Sequence, residues 1–294
     1  MSTNLTRIGA KARAHPDLVF TSLYPHIADL DHLRACDRLL QGNKAVGVDE
    51  VTKAMYAADL ETNLQGLSAR LKRMGYRPQP KRRTYIPQPG SETGRPLGIS
   101  SFEDKIVELA TKRVVEPLFE SLFEDCSYGY RPQRSPHQCL DALGRTIQQK
   151  RVNHLVEADI RGFFDAVNHE WLLKLLGQRI GDKRVLRLIR RMLKAGIMED
   201  GFVQATEVGT PQGSLLSPLL SNVYLHYVWD IGFQRRVRRQ CRGEAYLFRF
   251  ADDFLAGFQY QTDAEFFRER LGDRLGEFHL ELAEEKMRPL EFGR

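Results

Sequence analysis

The sequence predicts an α+β fold in which an antiparallel sheet is backed by helices. A short β-favouring run, Asn153 to Asp159, ends on a carboxylate. A second stretch, Ala245 to Gln259, places apolar residues on both sides of Asp252-Asp253, the pattern of a hairpin with acids at its turn. Segments of helical apolar spacing lie before, between and after these strands, and elements interspersed in this way pack as helices on a sheet. At 294 residues the chain can bury one large domain or two closely packed ones.

The elements follow in order. Residues 21 to 41 read as a helix, with Leu23, Ile27, Leu30, Leu33 and Leu39 along one stripe. Residues 59 to 74 form a second helix, which Gly75 stops. Between Arg77 and Pro96, five prolines (Pro78, Pro80, Pro87, Pro89 and Pro96) exclude a long helix, whereas Thr84-Tyr85-Ile86 favours a strand. A hairpin or extended arm carrying basic side chains fits there. A helix from about Phe102 to Phe123 buries Ile106, Val107, Ala110, Val114 and Leu118, and Pro117 is expected to kink or split it. After the strand ending at Asp159 come helices near 169–179 and 182–196. A Gly/Pro/Ser-rich loop at 209–217 then opens a helix to about Trp229, with Pro218 inside its first turn. A helix from about Asp263 to Phe278 follows the hairpin.

Composition excludes less than pattern does. Hydrophobic residues make up 42% and charged residues 28%, a globular mixture, and 44 basic against 38 acidic residues leave a formal charge of +6. The cations cluster at Arg235-Arg236-Val237-Arg238-Arg239, Lys81-Arg82-Arg83 and Arg184 through Arg191. Such clusters are solvated faces or contacts to phosphate. Cys36, Cys126, Cys139 and Cys241 are scattered without metal-ligand spacing, which fits reduced thiols in a cytoplasmic protein. No basic-then-apolar leader opens the chain, and no stretch reaches the roughly 20 apolar residues that span a bilayer. The expectation is a cytoplasmic, nucleoid-associated or free protein with no membrane partner.

The acids carry the chemistry. An Asp-Asp pair alone is usually a solvated turn. Here the run from Tyr246 to Phe258 is apolar on both arms, so Asp252 and Asp253 project from a rigid hairpin toward Asp159. Three clustered carboxylates require cations, and hard divalent ions such as Mg²⁺ prefer oxygen ligands. Two such ions about 4 Å apart activate a hydroxyl and stabilise a leaving pyrophosphate. Nucleotidyl transfer is the chemistry this set suits, since phosphoryl transfer depends on positioning and charge neutralisation.

Phe250-Ala251-Asp252-Asp253 resembles the aromatic-x-Asp-Asp signature of reverse transcriptases, and Asp159-Ile160-Arg161-Gly162-Phe163-Phe164-Asp165 resembles their first catalytic block. Gly209-Thr210-Pro211-Gln212-Gly213-Ser214-Leu215-Leu216-Ser217-Pro218 resembles the loop-helix block between them. Tyr85-Ile86-Pro87 with Arg95-Pro96-Leu97-Gly98-Ile99 looks like the fingers arm. Ser127-Tyr128-Gly129-Tyr130-Arg131-Pro132, Glu285-Lys286 and Glu291-Phe292-Gly293-Arg294 resemble group II intron enzymes. These blocks occur in order over roughly residues 40 to 294.

The resemblance implies the fingers and palm of a right-hand polymerase. It makes 1–40 an N-terminal helical extension, 41–130 mainly fingers and 131–294 mainly palm. It also implies an RNA-directed DNA polymerase of group II intron type. Its partners would be an intron RNA template, a DNA primer and deoxynucleoside triphosphates, and a homodimer is among its candidate states. Asp159, Asp252 and Asp253 become the catalytic acids and metal ligands for two Mg²⁺ ions, with Mn²⁺ as a substitute, and the carbonyl of Ile160 adds a ligand. Phe164 becomes the residue beneath the incoming sugar, Arg95 the triphosphate clamp and Gln212 the neighbour of the templating pair. Phe250, Gly213 and Lys286 become contacts to primer or template.

Two departures stand out. Gln88 replaces a lysine common in relatives, and Phe250 replaces the more frequent tyrosine. Relatives also continue into a helical thumb and maturase region, so a chain stopping at Arg294 is expected to lack them. An alternative is a weak or inactive remnant that binds intron RNA and assists splicing. A third reading, an RNA polymerase of the same palm type, is opposed by Phe164.

Overall fold

The computed structural model describes residues 3–42, 44–87, 94–210 and 212–291; Gln88, Pro211 and the end of the chain from Phe292 lie outside them. In chain order the first elements are α1 (Thr3–Ala14), α2 (Tyr24–Ile27), α3 (Leu30–Leu39), α4 (Lys53–Ala57), α5 (Leu60–Lys72), β1 (Lys81–Ile86), β2 (Arg95–Ile99) and α6 (Phe102–Glu120). Then come α7 (Pro136–Gln149), β3 (His154–Ala158), α8 (Phe163–Ala166), α9 (His169–Leu176), α10 (Lys183–Leu193), β4 (Ile197–Glu199) and β5 (Phe202–Gln204). The last are α11 (Ser217–Leu225), α12 (Arg238–Gln240), β6 (Ala245–Phe250), β7 (Asp253–Phe258), α13 (Gln261–Gly276) and β8 (Arg288–Glu291). Contacts divide the chain into two units, Met1–Leu122 with Leu176–Ser217, and Phe123–Leu175 with Pro218–Arg294. A linear partition at 130/131 does not contain this interleaving.

The first unit packs helices around α6, whose Ile106, Val107, Ala110 and Val114 are wholly buried. The expected helix at 21–41 is two helices. Asp29 breaks it by accepting the His32 amide at 2.8 Å, the geometry of an N-cap. Pro117 does not split α6, which runs on to Glu120. The proline falls one turn from the end, and the buried Leu118 and Phe119 hold that turn in place. Arg179, also buried, donates to the carbonyls of Ala12 (3.1 Å) and His15 (2.9 Å) and so fixes the end of α1. The sheet of this unit runs β2-β1-β4-β5. The expected arm at 77–96 is the antiparallel β1–β2 pair, in register from Arg82↔Ile99 to Ile86↔Arg95.

The second unit holds the expected antiparallel sheet, ordered β6-β7-β3-β8. α13 lies against β3 and β7. Phe267 reaches from α13 to the rings of Phe258 (5.1 Å), Trp229 (5.4 Å) and Phe233 (5.9 Å), which together form the core. The helix expected to end near Trp229 continues. After α11 it widens into π-helical stretches at His226–Asp230 and Phe233–Val237 before α12. Arg274 donates to the carbonyls of Val228 (2.8 Å) and Tyr227 (3.1 Å) within the first stretch. All four cysteines are free. Among the described residues, no helix is long and apolar enough to cross a membrane.

Candidate active site

Strand β3 delivers Asp159 and the β6–β7 turn delivers Asp252 and Asp253. β3 pairs with β7 so that Ala158 lies opposite Phe254. β3 ends one residue before Asp159, whose charge acts on Asp253. Phe250 pairs with Asp253 across the β6–β7 turn, leaving Ala251 and Asp252 at its tip. Ala251 has φ +58°, a left-handed conformation that a residue with a Cβ adopts only when its surroundings impose it.

Arg249 imposes it. This fully buried guanidinium donates to both oxygens of Asp230 (2.8 and 2.6 Å), to Asn222 Oδ1 (2.9 Å), to Ser127 Oγ (2.7 Å) and to the carbonyl of Ala251 (2.8 Å). The Ser127–Pro132 block thereby acquires a structural meaning. Tyr128 donates its amide to the Arg249 carbonyl at 2.9 Å, and Asn222 donates its side-chain amide to the Gly129 carbonyl at 2.7 Å. A Cβ on Gly129 would come within 2.2 Å of the Ala251 nitrogen, so only glycine lets this segment back the turn.

The electrostatics record how close the acids are. Desolvation pushes the Asp253 carboxyl above its usual range, and the like charges of Asp252 and Asp159 add to the push. Lys286, on a 3-10 turn at Glu284–Lys286, sets its ammonium 2.5 Å from Asp159 Oδ2. Ile160 is buried in a bridge to Leu282. That bridge is carried by the Arg161 amide on the Glu281 carbonyl and the Ala283 amide on the Asp159 carbonyl. Phe164 is buried on α8, edge-on to Phe163 with ring centroids 5.5 Å apart.

The remaining predicted residues belong to the first unit. Arg95 Nε donates to Gln212 Oε1 at 2.7 Å, joining the residues expected to handle the triphosphate and the templating pair. Gly213 has φ +102°, and its missing Cβ would stand 2.9 Å from the Gly98 carbonyl. The loop is fixed from below by a buried pair. Lys81 donates to Glu108 Oε1 at 2.6 Å, and Glu108 Oε2 accepts the Leu215 amide at 3.0 Å. Burial alone would raise the Glu108 carboxyl, but Lys81 and the Leu215 amide hold it below its usual range.

The carboxylates offer hard oxygen donors, and a cationic side chain already sits on one of them, which is the chemistry a divalent ion would meet. Among the described residues, no three His, Cys, Asp or Glu side chains converge closely enough to enclose an ion. Arg249, Asp230 and Asn222 escaped the sequence reading, and Gly129 entered it only as part of the Ser127–Pro132 block. The available signal was Arg249, a lone charge within an apolar strand.

Comparison with known proteins accords with this architecture. The profile of the family described as reverse transcriptase (RNA-dependent DNA polymerase) matches residues 86–291. The group II intron-encoded protein LtrA of Lactococcus lactis is 38% identical over 222 residues, 76% of this chain and 37% of its own length. The chain thus spans little more than a third of that relative. Protein YkfC of Escherichia coli is 33% identical over 280 residues, 85% of this chain and 73% of its own. An uncharacterized 91 kDa protein in a cob intron of Schizosaccharomyces pombe is 41% identical over 132 residues, 45% of this chain and 16% of its own. With the profile covering well over half of it, and with the acid-bearing strand and turn inside the matched region, the chain belongs to the reverse transcriptase (RNA-dependent DNA polymerase) family.

Proposed function

We propose that this chain is an RNA-directed DNA polymerase of group II intron type, extending a DNA primer with deoxynucleotides on an intron RNA template. The β3–β7 pairing, with Asp159 just past the end of β3 and acting on the charge of Asp253, carries this reading. On it, Asp159 and Asp252 are the principal ligands of the divalent cations, with Asp253 and the Ile160 carbonyl completing the set. Two Mg²⁺ ions there, or Mn²⁺ in their place, would supply activation of the primer hydroxyl and neutralisation of the departing pyrophosphate. Lys286 holds Asp159 in place and lies where it would contact primer or nucleotide. Phe164 lies under the sugar and excludes a 2′-hydroxyl. Arg95, oriented by Gln212, donates its planar fork to the triphosphate. Phe250 and Gly213 contact primer and template. The unit bearing Arg95 and Gln212 serves as fingers, and the carboxylate-bearing unit as palm.

A second reading, an RNA-binding protein without turnover, draws on the Lys286–Asp159 contact, which neutralises one acid within the chain. Primer extension on an RNA template with Mg²⁺ separates the two. The parent should extend, and Asp252→Asn should lose about a hundredfold to a thousandfold in rate, as expected when charge stabilisation at a transferring phosphoryl group is removed. Equal extension by both proteins would sink the assignment of Asp252. No extension by a folded, RNA-binding parent would favour the second reading.

A further inference from the structure

We propose that the end of the carboxylate-bearing sheet remote from Asp252 carries a second nucleic-acid site, one that holds structured RNA by its phosphates and by one unpaired base. The inference goes beyond the polymerase reading and does not require turnover. β6 begins at Ala245 and β7 ends at Phe258, paired with each other at the open end of the hairpin. Five residue steps separate that end from the acidic turn, roughly 17 Å of strand. A cleft of about 400 Å³ opens there, lined by Arg151, Arg238, Arg242 and Tyr246 around Glu244.

Its cations outnumber its one carboxylate, Glu244, whose charge Lys150 and Arg151 favour. Among the described residues, Arg151, Arg238 and Arg242 form no ion pair. The carboxylate of Glu244 is occupied by the Arg151 amide (3.1 Å) and the Tyr246 hydroxyl (3.0 Å) rather than by a guanidinium. Arg238 reaches only the amide oxygen of Gln234, at 3.2 Å. Arg235 and Arg239 are exposed on the same helical run, and Lys150 is exposed next to Arg151.

The support beneath the cations is ordered. Buried Asp263 accepts the amides of Arg242 (3.1 Å) and Gly243 (3.0 Å), so the loop presents the Arg242 side chain from a fixed backbone. Tyr260 stands against Gly243 and is 46% exposed. An exposed ring beside unpaired arginines suits a nucleic acid better than an acidic peptide: phosphates take the guanidinium forks and a base takes the ring face. The arginine run that composition alone left as either solvated face or phosphate contact thereby acquires a ligand.

The test is binding of a fluorescein-labelled RNA stem-loop to the full chain, followed by anisotropy across a salt series. Arg238→Ala with Arg242→Ala should weaken binding about tenfold at 0.1 M salt and make the slope of log K against log[salt] shallower by about 1.5, the value for two lost phosphate contacts. Tyr260→Leu should weaken binding about tenfold without moving the slope, and only for RNA with unpaired bases. Arg268→Ala with Arg270→Ala, which removes the same charge from exposed positions of α13, is the control. An unchanged slope in the first double variant, or an equal loss in the control, overturns the site. So does polyglutamate that binds as tightly as RNA and depends on the same arginines. A chain that binds through this cleft yet never extends a primer would sink the polymerase reading and leave this one standing.

Discussion

Among the described residues, each unit contains a fully buried ion pair, and the two are built differently. In the first, the Lys81 ammonium meets one oxygen of Glu108 and the Ser100 hydroxyl (3.0 Å), while the other Glu108 oxygen takes a single amide from the 212–215 loop. In the second, the planar fork of Arg249 meets both oxygens of Asp230 and still reaches Ser127, Asn222 and the Ala251 carbonyl. A point charge fixes one loop by one bond. A guanidinium with five donors ties strand β6, the segment at Ser127, the helical run from Asn222 to Asp230 and a strained turn together at once. The turn that must hold two carboxylates against their own repulsion is the one given the more rigid support.

That difference predicts unequal costs. Arg249→Met leaves Asp230 as a buried, unpaired charge and frees the turn, so unfolding should become easier by about 5 kcal/mol. Denaturant titration of parent and variant measures the loss. A change below about 2 kcal/mol would show that Arg249 is not what holds the turn. Lys81→Met should cost less, about 3 kcal/mol, because Glu108 can take up a proton and still accept the Leu215 amide. If the Lys81 variant proves the more damaged of the two, the ranking drawn from donor number fails.

The contrast also shows how far the sequence could be read. The strand to Asp159, the acidic turn and the β1–β2 arm were legible because apolar spacing, prolines and adjacent acids mark them locally. Arg249 was not, because one arginine in a strand looks like a solvent-facing position until its partners are known. Those partners, Ser127, Asn222 and Asp230, stand between 19 and 122 residues away. α7 was missed although Ser135 and Gln138 form a capping box at its start. Leu140, Leu143 and Ile147 recur there at helical spacing, a signal the sequence did offer, although none of its side chains is fully buried. The π-helical continuation past Trp229 is contacted by Arg274, some 46 residues on, which no local pattern reveals. Interleaving of the units is likewise a property of contacts made across the chain.

Titration sharpens the comparison with the smallest effects. Burial pushes His226, in the second unit, down to about 4, with Arg249, Arg131 and Arg235 opposing its charge and Asp230 favouring it. Burial pushes Asp104, in the first unit, up to about 6, although Tyr76, the Gln79 amide and Ser101 favour its charged form. The signs oppose. With its folded value below the ordinary 6.5, His226 contributes stability that is complete above pH 6.5 and is lost as pH falls toward 4. With its folded value above the ordinary 3.8, Asp104 costs nothing below pH 3.8 and costs progressively more as pH rises through 6. Between pH 7 and pH 5 the histidine should remove roughly 2 kcal/mol and the aspartate return roughly 1 kcal/mol. Hydrogen exchange should therefore show amides around α11 opening more readily at pH 5 after correction for intrinsic rates, while those in α6 are protected. His226→Gln should flatten only the first trend and Asp104→Asn only the second. If either substitution flattened both trends equally, the two units would be unfolding as one, and the separate ion pairs would be supporting a single cooperative structure.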